Sequence, residues 1–248
     1  MRLLILWNEM VMVKELRKSV SGRIACAAIF VLIGSGTTLD AAPAQDWANL
    51  SRYRDANAEL VRTDPQRVVF LGDSITEGWA SQPFIHDNPH FVGRGISGQT
   101  APQMLVRFRS DVAALKPAIV HIMAGTNDIA QNTGPETDAE MLGYVVSIAE
   151  LARANGIKVI VASVPPAADF WWHHGLDPAP KIMAFNARLK AYARHRGFVY
   201  ADYWSVLATS SGAMKPQYSG DGVHPNSAGY EAMRPVAQKA MDRAKLEH

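Results

Sequence analysis

Three polar residues in this chain are of the types that acyl transfer needs, although they lie far apart in sequence. Ser74 follows an apolar, β-branched run, Val68-Val69-Phe70-Leu71, which reads as a buried strand and stops at Gly72-Asp73-Ser74. A serine there stands where a strand gives way to a helix. The start of such a helix offers free backbone N–H groups and the positive end of its dipole. The serine is then exposed, rigidly held and beside ready-made anion donors, as a nucleophile must be. A hydroxyl also needs a base, and the base needs a partner that fixes its tautomer and stabilises the imidazolium. Asp221-Gly222-Val223-His224-Pro225-Asn226 puts an acid three residues before a histidine in a Gly/Pro-punctuated loop. Taken singly, Ser74 or Asp73 could be a helix cap and Asp221 a turn residue beside a surface histidine. Taken together they make a nucleophile, a base and its partner.

Two further segments suit the same chemistry. Acyl transfer develops an oxyanion, which preorganised N–H donors must meet. Phe91-Val92-Gly93-Arg94-Gly95-Ile96-Ser97-Gly98-Gln99-Thr100 follows a short apolar piece and precedes a helical pattern, and Ile119 to Asp128 is another strand with a polar tip. A glycine lets a backbone N–H approach closely, and an asparagine adds a side-chain donor. Gly98, Asn127 and the Ser74 N–H are the candidates. Each has a plainer reading, Gly98 as a turn glycine and Asn127 as a cap or Asx-turn.

The four segments, in this order, resemble the sequence blocks of the SGNH-hydrolase family, also called GDSL esterases/lipases. Gly72-Asp73-Ser74 is similar to the first block, Gly95-Ile96-Ser97-Gly98 to the second, Gly125-Thr126-Asn127-Asp128 to the third and Asp221-Gly222-Val223-His224-Pro225 to the last. The resemblance runs from about Arg67 to the C-terminal helix. It implies Ser74 as nucleophile, Gly98 and Asn127 as oxyanion donors with the Ser74 N–H, and Asp221 and His224 as the rest of the triad. The choice of Gly98 over Gly95 comes from the family pattern alone. Ile75 stands where the family name implies leucine, and Gly93 where asparagine is common; neither touches a catalytic atom.

Gly93-Arg94-Gly95-Ile96-Ser97-Gly98 is also a literal G-x-G-x-x-G. A dinucleotide fingerprint needs a strand before it, a helix after it and an acidic residue about twenty residues on. Val112 to Thr126 contains no Asp or Glu, so the nucleotide reading is set aside.

The elements that must position these residues follow from periodicity. Strands are expected at Arg67–Leu71, Phe91–Val92, Ala118–Met123, Lys158–Ser163 and Phe198–Ala201. Helices are expected near Pro102–Leu115, Asp138–Ala154 and Lys181–Arg196, with a last one from Ser227 and an outer one over Trp47–Val61. Alternating strands and helices imply a parallel sheet covered on both faces. The expected fold is a three-layer α/β/α sandwich with a five-stranded parallel sheet, flavodoxin-like, as the family resemblance also implies. All four chemical segments then gather at one edge of the sheet.

With 248 residues, 48% of them hydrophobic, the chain can bury one sizeable core. The formal charge of +2 comes from the first forty-four residues, so the rest gives no electrostatic case for nucleic acid or an anionic membrane. Residues 1–44 read as a signal peptide: Lys14, Arg17, Lys18 and Arg23 form a basic region, Ile24–Gly34 an apolar stretch, and Ala42-Pro43-Ala44 a cleavage site before Gln45. An uncleaved membrane anchor is the alternative, and Met10 or Met12 could be the true start. Residues 45–248 form the expected catalytic domain. The single cysteine, Cys26, falls in the apolar stretch, so the mature chain needs no disulfide and has no thiol nucleophile. Leu246-Glu247-His248 resembles the stub of an expression tag.

Asp73, Trp171 and Trp172 are the expected substrate contacts. The segment from Val164 to Pro180 carries Phe170, Trp171, Trp172, His173 and His174. Adjacent aromatics there could stack on sugar rings, shape an acyl pocket, or simply pin the loop. The two histidines lack a third ligand at helical spacing, so no metal and no organic cofactor is expected. His121, inside a strand, reads as a core histidine, and Arg94 and Gln99 as backbone-bonding residues, with substrate contact the alternative. The combined reading is a secreted or periplasmic serine esterase for short acyl, chiefly acetyl, esters on a small molecule or polysaccharide. The alternatives are a lysophospholipase or acyl-thioesterase of the same family, and a non-catalytic carbohydrate-binding module.

Overall fold

The computed structural model describes residues 46–60 and 64–246. The expected signal segment, its cleavage site and Cys26 lie outside the described residues.

Five short strands form one parallel sheet: β1 (Val68–Gly72), β2 (Phe91–Gly95), β3 (Ile119–Met123), β4 (Lys158–Ala162) and β5 (Val199–Ala201), in the spatial order β2-β1-β3-β4-β5. Each strand is β-branched or aliphatic because side chains on both faces are buried. Val69, Leu71, Val120, Ile122, Val159 and Val161 point into one apolar layer, while Val68, Phe70, Ile119, Met123 and Ile160 point into the other. Each such side chain contributes about 1.5–3 kcal/mol by leaving water. The first layer is covered by the helices Ala101–Asp111, Asp138–Ala154 and Pro178–Arg196. The second is covered by Ser74–Ala80, Tyr203–Leu207 and Ser227–Leu246. This is the expected three-layer sandwich. His121 is indeed a core residue, bonded through Nε2 to the Tyr203 hydroxyl at 2.8 Å.

The strand order places the topological switch between β1 and β3, and ligands of open α/β sheets bind outside the carboxyl ends at that point. Ser74 follows β1, Gly98 follows β2 and Asn127 follows β3.

Some element boundaries differ from expectation for identifiable reasons. β2 extends through Gly93 and Gly95 because Phe70, Leu71 and Gly72 pair with Gly93, Arg94 and Gly95, which outweighs the low strand propensity of glycine. The helix expected from Lys181 begins at Pro178, whose fixed φ suits a first turn. The outer helix is only Arg54–Glu59. Ahead of it the Asp46 carboxylate draws the N–H groups of Leu50 and Ser51 into a turn, and Val61 lies outside the described residues.

Candidate active site

The β1 terminus aims Ser74 at the carboxyl edge of the sheet. The Asp73 carboxylate caps the helix Ser74–Ala80 by accepting from the Ile75 N–H at 2.9 Å. It is 1% exposed. Burial pushes its carboxyl up to about 6, against the Ile75 N–H, the His224 charge and the Thr126 hydroxyl. The residue does not line the cavity beside Ser74. The Asp73 side chain, expected as a substrate contact, lies beneath Ser74 and holds the turn, apart from the cavity that Trp171 and Trp172 line.

Ser74 Oγ lies 2.9 Å from His224 Nε2, and His224 Nδ1 lies 2.7 Å from Asp221 Oδ2. The loop builds this contact locally. Asp221 Oδ1 accepts from the N–H groups of Val223 (2.9 Å) and His224 (2.8 Å) and from the Ser219 hydroxyl (3.0 Å). Burial would raise the Asp221 carboxyl, but the His224 ring and these backbone donors more than reverse that and hold it well below the usual carboxylate range. An ionised Asp221 can only accept, so Nδ1 carries the proton and Nε2 is left to accept from the Ser74 hydroxyl. At the far end Asn226 Oδ1 caps the last helix through the Gly229 N–H at 3.0 Å.

The second block is fixed by packing. At Gly95 a Cβ would fall 2.1 Å from the Glu77 nitrogen and 2.6 Å from the Asp73 carbonyl oxygen, so only glycine lets the strand end lie against the helix. Gly98, at φ +77°, turns the loop towards Ser74 and lines the cavity. The same geometry separates the roles of the two glycines. Glu77 holds the loop by accepting from the Ser97 N–H at 2.9 Å and from Arg52 at 3.1 Å. Buried Arg107 ties it from beneath, donating to Gln99 Oε1 (2.6 Å), the Gly72 carbonyl (2.9 Å) and Asp111 (3.2 Å). Gln99 bonds to backbone as expected, at the Ala48 carbonyl; Arg94 reaches both the Gly93 carbonyl and the Asn57 side chain.

Asn127 is buried in the one-turn helix Thr126–Ile129 and donates from Nδ2 to the Gln99 carbonyl at 3.0 Å. With Ser74, Ser97, Gly98, Asn132, Trp171, Trp172 and His224 it lines a cavity of about 330 Å³. Thus Ser74, Gly98, Asn127, His224, Trp171 and Trp172 meet at one place, with Asp221 behind the histidine. In the aromatic loop Phe170 is fully buried and pins the chain, while Trp171 is 60% exposed. Trp172 packs on Phe170 at 5.0 Å and faces the His224 ring at 6.3 Å between centroids. His173 bonds the Ala130 carbonyl and His174 pairs with Asp169.

The sequence profile of the GDSL-like Lipase/Acylhydrolase family matches residues 70–232, which includes all four blocks. The chain belongs to that family. It is a carboxylic ester hydrolase of the SGNH type. A crystal structure of a candidate acylhydrolase from Bacteroides fragilis is 49% identical, covers 80% of this chain and 98% of its own, and superposes with a TM-score of 0.77. A GDSL-like lipase from Bacteroides thetaiotaomicron is 45% identical, covers 79% of this chain and 98% of its own, with a TM-score of 0.76. Esterase TesA of Pseudomonas aeruginosa is 27% identical over 177 residues, 64% of this chain and 80% of that protein.

Sequence reasoning missed several residues that shape this hydrolase site. Glu77, Arg107 and Asn132 act through contacts between elements distant in sequence, whereas Ser219 acts within the Asp221 loop, donating to the Asp221 carboxylate two residues on. Only Asn132 carried a signal, its position five residues after Asn127 in the same polar tip.

Proposed function

We propose that this hydrolase is a serine esterase using Ser74, His224 and Asp221, and that it removes short acyl groups, chiefly acetyl, from a carbohydrate alcohol. The observation that carries the reading is the unbroken run from Ser74 Oγ through the His224 ring to Asp221, opening on the same cavity as Gly98 and Asn127. Ser74 Oγ attacks the ester carbonyl carbon while His224 Nε2 takes its proton. Asp221 stays ionised and stabilises the imidazolium. The oxyanion accepts from the N–H groups of Ser74 and Gly98 and from Asn127 Nδ2. His224 then protonates the leaving alkoxide. Water, deprotonated by the same nitrogen, frees the acid. No step calls on a metal or organic cofactor.

The cavity wall supports the substrate class. It consists of small polar side chains, one imidazole and two indoles, with no aliphatic side chain. The wall offers indole faces in place of an aliphatic channel for a long acyl chain, and a sugar ring can lie on the exposed Trp171 face. Among the described residues no helix is long and apolar enough to cross a membrane. Export to the periplasm or medium, where a polysaccharide ester would be met, rests on the signal-like N-terminus. The test is a chain-length series of p-nitrophenyl esters alongside acetylated xylan. Rates should fall steeply beyond butyrate, and acetate should be released from the xylan. Preference for decanoate, or for a lysophospholipid or acyl-thioester, would overturn the substrate class.

A further inference from the structure

Two hydrogen bonds join the aromatic loop to the turn after Asn127, and the reaction above uses neither. Trp172 Nε1 donates to Asn132 Oδ1 at 2.9 Å, and His173 Nδ1 donates to the Ala130 carbonyl at 2.8 Å. Asn132 in turn donates from Nδ2 to Asn127 Oδ1 at 2.9 Å and to the Gly98 carbonyl at 3.1 Å. One exposed side chain therefore touches two of the three oxyanion residues and an indole of the cavity wall.

The backbone explains why it lies there. The helix Thr126–Ile129 ends with Gln131 at φ 59°; the Gln131 N–H bonds the Asp128 carbonyl (2.9 Å) and the Asn132 N–H the Asn127 carbonyl (3.0 Å). This paired closure folds residue 132 back over the first turn. The side chains of Asn127 and Asn132 are thereby brought together.

The ends of the network fix every amide in it. An indole N–H only donates, and a peptide carbonyl only accepts. Trp172 therefore takes Asn132 Oδ1, which turns the Asn132 NH₂ towards Asn127 and Gly98. Asn127 must answer with its Oδ1, and its Nδ2 then faces the Gln99 carbonyl. Flipping either amide would set donor against donor or acceptor against acceptor. In this arrangement Asn127 Nδ2 uses one hydrogen on Gln99 and keeps the other for the cavity.

We propose that Asn132 is a positioning residue. It fixes the Asn127 amide in the orientation that oxyanion stabilisation requires and anchors the Gly98 carbonyl, one peptide beyond the Gly98 N–H, and the Trp172 indole N–H fixes Asn132. The proposal rests on the oxyanion role of Asn127 given above. It makes the aromatic wall and the oxyanion donors one device, so Trp172 contributes to turnover through its N–H as well as through contact with substrate.

The experiment measures kcat and KM on p-nitrophenyl acetate for wild type, Asn127→Ala, Asn132→Ala, Asn132→Asp, Trp172→Phe and the doubles Asn127→Ala/Asn132→Ala and Asn132→Ala/Trp172→Phe. Asn132 is exposed and phenylalanine keeps a ring at 172, so folding is retained, and a thermal melt checks it. Asn132→Ala should lower kcat about 10-fold, within the ~10²-fold that a 1 Å misplacement can cost, with KM almost unchanged. Asn132→Asp should be at least as slow, because a carboxylate cannot donate to Asn127. Trp172→Phe should lower kcat by a smaller factor, roughly 3-fold. Neither double should be slower than its slower parent, since the residues act in series. A normal kcat in Asn132→Ala, a rise in KM alone, or multiplying effects in the doubles would overturn the proposal while a slow Asn127→Ala leaves the proposed function standing. A normal kcat in Asn127→Ala would overturn both.

Discussion

The two halves of the proposed catalytic site are built in opposite ways. The base side is local: Ser219, Asp221, Val223 and His224 bond to one another within a single loop, and Asp221 orients the histidine three residues away. The oxyanion side is assembled from three loops, after β1, β2 and β3, and it holds together only through long-range bonds. Arg107 reaches Gly72 and Gln99, Glu77 reaches Ser97, and Asn132 reaches Gly98. Proton transfer needs one short, directional contact, which a single turn can make. Oxyanion binding needs several donors converging on one point in space, and no single turn can supply them.

That contrast can be broken from either half. The largest effect belongs to the atom both halves serve: Ser74→Ala should lower ester hydrolysis by about 10⁴-fold or more with an unchanged thermal melt. Asp221→Asn comes next. Its Oδ1 still accepts from Val223 and His224, so the loop persists, but the new NH₂ faces Nδ1 and drives the proton to Nε2. The rate should fall by about 10⁴-fold or somewhat less. Because Asp221 in the wild type is held well below the usual carboxylate range, it should stay ionised and add no step of its own to the acid limb of kcat/KM. A step on that limb that disappears in Asp221→Asn would contradict this. Asn127→Ala should lower kcat by roughly 10²–10³-fold with a smaller change in KM.

The smallest effect is on stability. Asp128, behind Asn127, accepts from the Ala101 N–H with one oxygen, and its other oxygen has no hydrogen-bond partner. Burial pushes its carboxyl up to about 7, and the nearby Glu136 adds to the rise. A carboxyl raised in the folded state binds more protons there than in the unfolded chain, so its contribution is full below about pH 4 and is lost as pH rises through about 7. Asp128→Asn keeps the acceptor and never ionises. Its Tm should exceed that of wild type by more at pH 8 than at pH 5, and an equal difference at both pH values would contradict the shift.

Legibility in the sequence follows the same division. The order of strands and helices was readable because buried parallel strands are apolar runs, and Asp138–Ala154 and the start at Ser227 fall where periodicity puts them. Within the proposed site, the residues carried by local motifs could be named: Ser74 at a strand end, Asp221 and His224 in one turn and Asn127 in a glycine-punctuated tip, with Gly98 chosen over Gly95 by the family pattern. Asp73 reads as available in the sequence because it stands beside the proposed nucleophile, while its burial and its bond to Ile75 emerge only after folding. Glu77, Arg107 and Asn132 were unreadable because their partners lie on other elements, and Ser219 because its hydroxyl gains a role only once Asp221 is turned back upon it.

The central claim is that Ser74 is the nucleophile and that the Asp221–His224 pair activates it. Treatment with a p-nitrophenyl phosphonate ester, followed by digestion and mass spectrometry, tests this most directly, because such an ester phosphonylates an activated serine and mimics the tetrahedral intermediate. The account predicts one adduct per chain, on the peptide carrying Ser74, with loss of esterase activity in step with labelling and far slower labelling in Asp221→Asn. An adduct on another residue, or full inactivation with Ser74 unmodified, would contradict it.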